Sequence, residues 1–513
     1  MEKQERIDEL KQLMERNRQM GGPERITAQH ALGRLTARER IVKLFDPGTF
    51  KETWLLLQAL TPDREGTITH INKVSGSGKI DGRTVIVNAD DATARTAGYR
   101  PANQPPRGTY SRLYPEMNHP VIHLADGGDA RTFLNSADRL PDPIPTRAFT
   151  GLRRVPHVTA VMGDVYGAAA LEVTTADFVV QVKGTSFAIS DPRLLDRPLA
   201  PETSLEELGG WKVHSEVTGQ VDAIAENEEQ ALQIIREFLS YLPENCDKET
   251  PLIPNSDPRD RILDKLMTII PDKANRVYDM HQVIKQIVDD GRFFPVKGNF
   301  GKTLITCLAR MNGRPVGFIA NQTLINAGAA GPDECDKAAD FIILCDTFNI
   351  PLVFLADTPG FLVGRPAEQK RIPTKIIAWM QAIAFSTVPK MCIIIRKAYG
   401  MGISNMCGTN CGPDYIAALT TAEISFMSPE AAANVVYLRR IESAPDPKAE
   451  RAQLIRQMER ESSPFPAAHA GLLDDVLDPR DTRKYIIDCL ETLRSHKGDF
   501  IGEHRLQGWP TGF

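Results

Sequence analysis

The feature that most constrains this chain is that it is written twice. Lys79-Ile-Asp-Gly-Arg-Thr-Val-Ile-Val-Asn88 resembles Arg310-Met-Asn-Gly-Arg-Pro-Val-Gly-Phe-Ile319, with the glycines 313 − 82 = 231 residues apart. His119-Pro-Val-Ile-His-Leu-Ala-Asp126 resembles Ile350-Pro-Leu-Val-Phe-Leu-Ala-Asp357 at the same offset, 357 − 126 = 231. Val155-Pro-His-Val-Thr-Ala-Val-Met162 leads to Tyr166-Gly167, and Val388-Pro-Lys-Met-Cys-Ile-Ile-Ile395 leads to Tyr399-Gly400, an offset of 399 − 166 = 233. Thr175-Ala-Asp177 and Thr421-Ala-Glu423 extend the series with a modest insertion. Generic strand composition would account for one such pair, but not for an ordered set at a nearly constant offset. Two domains of one kind follow, and 513 residues is the right length for two. The polar, proline-punctuated stretch Pro243–Pro254 sets the boundary, giving domains 1–245 and 246–513.

Each half alternates strand-like and helix-like segments. Val121-Ile-His-Leu-Ala125 and Leu352-Val-Phe-Leu-Ala356 are continuous apolar runs, as expected of strands buried on both faces. Turn residues follow them, Asp126-Gly-Gly in one half and Asp357-Thr-Pro-Gly in the other. Lys375–Ala384 has helical apolar spacing, and Met1–Leu10 reads as the start of an amphipathic helix. The class is α/β.

Composition excludes several roles. A net charge of −5 with well-mixed signs provides no basic stripe for nucleic acid. Apolar runs such as Pro351–Ala356 fall far short of the ~20 residues of a spanning helix. The mixed-charge N-terminus is neither a signal nor a transit peptide. The eight cysteines are scattered, and the close pair Cys407 and Cys411 lacks the partners of a zinc site, so no metal is expected and a reduced, cytoplasmic protein fits best.

Chemistry is most readily sought at the glycine turns that end the repeated strands, Gly163–Ala170 and Arg396–Gly402. A strand that ends in small residues and opens a helix leaves backbone N–H groups without intrahelical acceptors. Such donors can hold an oxyanion without any side chain. The alternative is a tight turn required only for packing. No nucleophile elbow, phosphate loop, dinucleotide fingerprint or His-Glu-x-x-His motif occurs, and His30, His119, His123, His157 and His214 read as structural.

Specific motifs then carry a resemblance that runs essentially end to end. They are His30-Ala-Leu-Gly-Arg-Leu-Thr-Ala-Arg-Glu-Arg40, Asp46-Pro-Gly-Thr-Phe50, Glu206-Glu-Leu-Gly-Gly210, Ala309–Gly317, Cys345–Pro351, Pro359-Gly-Phe361, Arg396-Lys-Ala-Tyr-Gly400 and Pro464-Phe-Pro-Ala-Ala468. With these the chain resembles the carboxyltransferase (β) subunits of propionyl-CoA and methylcrotonyl-CoA carboxylases and the related transcarboxylase subunit. The resemblance implies tandem duplicated crotonase-like domains that transfer a carboxyl group between carboxybiotin and an acyl-CoA thioester. Oxyanions develop on the thioester and on the biotin urea, which explains two donor pairs. It places Gly167 and Ala168 at the acyl-CoA hole and Met401 and Gly402 at the biotin hole. It implies a biotin-binding surface at Tyr399, Gly400 and Phe361, and substrate contacts at Asp126, Gly127, Gly128, Arg131, Tyr166 and Arg100. It further implies a homo-hexamer or dimer-based oligomer, with sites shared between subunits. No Met-Lys-Met carrier motif occurs, so biotin is expected on a separate biotin carboxylase or carrier subunit.

The chain departs from that pattern mainly in its first half. The family has two glycines where Gly167-Ala168 stands, and a Gly-Gly pair where Gly400-Met401 stands; Ala168 would restrict φ and Met401 would add bulk. The usual Asp-Ser-Gly-Gly-Ala-Arg becomes Asp126-Gly-Gly-Asp-Ala-Arg131, and a glycine- and serine-rich segment becomes Ala94–Arg107, with Arg95, Tyr99, Arg100 and Arg107 among prolines. Arginines there suit a carboxylate or phosphate and suggest an acyl group larger or more polar than acetyl or propionyl; a solvated surface loop is the alternative. Two other functions remain open: a CoA-ester decarboxylase or biotin-independent crotonase-like lyase, and a non-catalytic assembly subunit.

Overall fold

The computed structural model describes residues 3–56, 72–94, 118–127, 153–191, 204–273, 275–496 and 500–508. The chain folds as two compact units, Met1–Asp247 and Lys248–Trp509. In the first unit the strands are β1 (Lys51–Thr53), β2 (Lys73–Ile80), β3 (Arg83–Asp90), β4 (Val121–Ala125), β5 (His157–Val161), β6 (Val165–Tyr166), β7 (Phe178–Val182), β8 (Phe187–Ala188) and β9 (Ala223–Ala225). In the second they are β10 (Phe293–Val296), β11 (Leu304–Met311), β12 (Arg314–Asn321), β13 (Leu352–Thr358), β14 (Lys390–Tyr399), β15 (Tyr415–Leu419), β16 (Glu423–Ser425) and β17 (Asp475–Leu477).

The two main sheets share one topology. The order β1-β2-β3-β4-β5-β7-β9 is repeated as β10-β11-β12-β13-β14-β15-β17. In each, the first three strands pair antiparallel and the rest parallel. The short pair β6–β8 has its counterpart in the far end of β14 against β16. These are the two like α/β domains expected from the repeat, in the tandem crotonase-like arrangement that the resemblance implies.

Local chemistry explains why both halves take this path. Asp81-Gly82 and Asn312-Gly313 have positive φ at both positions, which matches the type I′ hairpin turn. A carboxylate brackets each turn: Asp46 accepts from the amides of Asp81 (3.1 Å) and Gly82 (2.9 Å). Asp289 likewise accepts from Asn312 (3.0 Å) and Gly313 (2.6 Å). An arginine then holds each carboxylate, Arg236 beside Asp46 at 3.4 Å and Arg483 beside Asp289 at 2.7 Å. Aspartates also lock adjacent strand ends: Asp177 to His157, Asp414 to Lys390, Asp222 to Val179 and Asp474 to Ile416 each exchange an amide and a carboxylate bond.

Those bonds correct the last element of the sequence repeat. Asp177, heading β7, is matched by Asp414, heading β15, and not by Glu423. Glu423 opens β16, the counterpart of β8. A common Thr-Ala-acid pattern misled because the halves carry different insertions just there. The core of the second unit packs Met280, Val283, Ile284 and Ile287 of the helix Met280–Ile287 under Ile305, Phe318, Val353 and Ile393. Lys375–Ala384 lies within the helix Ile372–Phe385. The N-terminal helix Lys3–Arg18 forms too, with Ile7 and Leu10 exposed and Leu13 and Met14 half-buried, and its one buried side chain is Asn17, which donates to the Leu55 carbonyl at 2.7 Å.

Candidate functional site

The two glycine turns are the same structure. Gly167 (φ 66°, ψ −134°) follows β6 and precedes the helix Ala168–Val173. Gly400 (φ 54°, ψ −140°) follows β14 and precedes the helix Met401–Asn405. Both conformations lie where a Cβ is disfavoured. The Gly167 amide donates to the Ala188 carbonyl (3.3 Å), and the Gly400 amide to the Ser425 carbonyl (3.1 Å). In the first unit, the Gly167 carbonyl accepts from Ala170 and Leu171. The amides of Ala168 and Ala169, and those of Met401 and Gly402, open their helices and so have no intrahelical acceptor.

This amends the assignment of donors. Gly167 is not one, because its N–H is committed to the neighbouring strand; it supplies the backbone reversal, and Ala169 joins Ala168 as the available pair. Sequence reasoning missed Ala169, although the internal repeat (Ala169 opposite Gly402) contained the signal. The concern over Ala168 also dissolves: the positive φ falls on Gly167, and Ala168 is an ordinary first helical residue. Met401 does not crowd its turn either, since its side chain is 53% exposed. Gly402 cannot grow, because a Cβ would meet the Gly360 Cα at 2.9 Å.

Beneath each turn lies a neutralised aspartate. Asp357, fully buried, meets Arg396 Nε at 2.9 Å and Lys397 Nζ at 2.8 Å and accepts from the Tyr278 hydroxyl at 2.8 Å. This is what Arg396-Lys397 of the Arg-Lys-Ala-Tyr-Gly motif does. Asp126 sits at the matching place, but its cation comes from elsewhere: Arg40 Nη2 lies 2.7 Å away and Gln29 Nε2 donates at 3.0 Å. Glu228 takes the other side of Arg40 at 2.6 and 2.9 Å. Burial alone would depress the Arg40 guanidinium, but Asp126 and Glu228 outweigh it and raise its pKa. Gly163 makes room, since a Cβ there would fall 1.7 Å from Asp126 Oδ1. Asp126 is therefore engaged through Oδ2 by Arg40 and Gln29 of its own unit.

The remaining site residues divide. Tyr399 is buried and donates its hydroxyl to Glu423 at 2.6 Å; burial and then that carboxylate push its pKa up, so it braces the turn from below. Tyr166 is buried at the end of β6. Phe361 is partly exposed, bridged to Ala330 and set edge-on to Trp379 at 6.4 Å. Gly127 closes β4. Gly128, Arg131 and Arg100, with Arg95, Tyr99 and Arg107, lie outside the described residues. One feature shared by both turns was not anticipated: an exposed apolar residue follows each accepting strand, Ile189 after Ala188 and Phe426 after Ser425.

Comparison with known proteins agrees with this geometry. The model of the carboxyl transferase domain family matches residues 28–506. The propionyl-CoA carboxylase carboxyltransferase subunit of Haloferax mediterranei is 35% identical over 97% of this chain and 98% of its own. The methylmalonyl-CoA decarboxylase α subunit of Propionigenium modestum is 33% identical over 96% of both. Among solved structures, transcarboxylase 12S, a hexamer with methylmalonyl-CoA and methylmalonic acid bound, superposes with a TM-score of 0.88 at 30% identity over 96% of each chain. Among the described residues no helix is long and apolar enough to cross a membrane. With its duplicated fold, its paired amide turns and a family match spanning nearly its whole length, the chain belongs to the carboxyl transferase domain family, as an acyl-CoA carboxylase carboxyltransferase.

Proposed function

We propose that the N-terminal unit receives the acyl-CoA thioester and the C-terminal unit the carboxybiotin, so that a carboxyl group passes between them. The supporting observation is the pair of equivalent turns, each opening a helix with two amides that lack an intrahelical acceptor. Removing a proton beside a thioester carbonyl puts negative charge on its oxygen, and fixed N–H donors stabilise that charge. Ala168 and Ala169 take this part on the acyl side. Met401 and Gly402 would hold the ureido oxygen of biotin, a fit supported by their unengaged amides and by the exposed Met401 and Phe426 at the same turn. Carboxybiotin, when bound, supplies the carboxyl group. Asp357 and Asp126, each neutralised, keep the two turns rigid.

Biotin arrives on a separate carboxylase or carrier subunit, and the chain works as a hexamer or other dimer-based oligomer; the hexameric transcarboxylase 12S supports the latter. The decarboxylase relative, nearly as similar as the carboxylase one, favours a second reading in which net flow is decarboxylation. The test is loss of the carboxyl group from methylmalonyl-CoA and related thioesters, with and without free biotin. Biotin-dependent turnover is expected. Equal turnover without biotin would point to a lyase, and absence of both turnover and CoA-ester binding to an assembly subunit.

A further inference from the structure

The two sheets are near-copies, so each serves as a control for the other, and they differ along one row. In the first unit Ser75, Asn88, His123 and Thr159 are register neighbours across β2, β3, β4 and β5. In the second, the corresponding row is Thr306, Ile319, Phe354 and Cys392. The second row is conventional core: Ile319, Phe354 and Cys392 are fully buried, and Thr306 donates its hydroxyl to the Val296 carbonyl at 2.6 Å. The first row is as deeply buried, with no member above 4% exposed, yet it is polar throughout. Ser75 Oγ, both amide atoms of Asn88, His123 Nδ1 and Thr159 Oγ1 have no hydrogen-bond partner among the described residues.

Charged groups close the row at one end. His123 Nε2 lies 3.4 Å from Asp90 Oδ2, within ion-pair reach, and Lys73 pairs with the other Asp90 oxygen at 2.6 Å. His123 Nδ1 lies 4.0 Å from Glu172 Oε1, which is itself unpartnered. Glu172 belongs to the helix Ala168–Val173, whose first turn carries the acyl-side amides. Four residues separate Ala168 from Glu172, about 6 Å along a helix. Buried polar atoms are nearly always hydrogen-bonded, so a row of unpartnered ones calls for an occupant.

We infer that this row recognises the acyl portion of the CoA thioester and selects a neutral polar group on it, a hydroxyl or carboxamide. The inference rests on the acyl-CoA assignment of the N-terminal unit and names its substrate class. The row offers donors and acceptors together, which suits a group that is both. Asp90 and Glu172 disfavour a carboxylate, since the neighbouring cation, Lys73, is already paired.

The test replaces the row with its counterpart from the second unit, which shows that this sheet accepts an apolar set: Asn88→Ile, His123→Phe and Thr159→Cys together, with Thr159→Val alone as the gentler variant. Binding of 4-hydroxybutyryl-CoA, butyryl-CoA and succinyl-CoA to the full chain is measured by calorimetry. Wild type is expected to bind the hydroxyacyl thioester about tenfold or more tightly than butyryl-CoA, as one added hydrogen bond would provide. The triple variant loses or reverses that preference, and Thr159→Val weakens it. Equal binding of all three thioesters by wild type, preference for succinyl-CoA, or an unchanged preference in the variants overturns the inference. Binding of no CoA thioester at all overturns the acyl-CoA assignment as well.

Discussion

The equivalence of the two turns makes a matched pair of substitutions informative. Alanine at Gly167 or Gly400 would have to adopt φ near 60° with ψ near −135°, at a cost of about 1–3 kcal/mol. At Gly167 the added methyl meets nothing within 4 Å, so strain acts alone; at Gly400 it also approaches the Phe426 carbonyl at 3.2 Å. The strain is relieved by rotating the peptide that follows the glycine, whose N–H is the Ala168 or Met401 donor. Losing one such donor lowers kcat by about 10²–10³-fold and leaves KM for the acyl-CoA nearly unchanged, because the donor acts on charge that develops in the transition state. Units of this size lose about 2–4 °C in Tm per kcal/mol. Gly400→Ala should therefore fall further in Tm than Gly167→Ala, while both lose kcat in biotin-dependent carboxyl transfer. Wild-type kcat and Tm in Gly167→Ala would refute the role given to that turn.

Other consequences are measurable by unfolding. Asp289→Ala leaves the fully buried Arg483 guanidinium without its closest carboxylate and should cost about 3–5 kcal/mol in urea titration, whereas Asp46→Ala, at a more exposed bracket, should cost about 1–2 kcal/mol. Lys337 is buried among the carbonyls of Phe300 (2.8 Å), Gly301 (3.3 Å) and Leu304 (2.6 Å), and burial pushes its amine down to about 7. The unfolded chain, with a lysine near its ordinary value, then binds the extra proton between pH ~7 and ~10, so stability should rise with pH across that window. Lys337→Met should flatten the rise, as read from denaturation midpoints at the two ends. Tyr399→Phe leaves Glu423 without its buried donor and should lower kcat more than it raises KM, if the phenol braces the turn.

The sequence exposed the duplication because its markers are local. A positive-φ hairpin pair, a proline before a buried strand and a Tyr-Gly turn each specify their own geometry, so they align at 231–233 residues without tertiary information. The parts that escaped are long-range. Nothing near Gly167 in sequence shows that its amide is taken by Ala188, since that depends on β6 meeting β8. The partners of Asp126 were hidden because Gln29 and Arg40 are remote from it in sequence. The polar row was visible only as Asn, His and Thr within apolar runs, and its coherence required the strand register.

The different sources of charge beneath the two turns carry a consequence for how the protein assembles. Asp357 finds Arg396 39 residues away, on the adjacent parallel strand of its own sheet. The counterpart under Asp126 needs Gln29, 97 residues distant, and an Arg40 that is itself oriented by Glu228, 188 residues further along. Loop closure over such distances is entropically dearer and slower. The aspartate beneath the Gly400 turn thus takes its cations from the neighbouring strand, while the one beneath the Gly167 turn waits until the last helix of the first unit, Glu228–Tyr241, has been synthesised and has docked. A ribosome-bound chain ending before Glu228 would carry the strands of the first unit with Arg40 unanchored, making that helix the latch on the Gly167 turn.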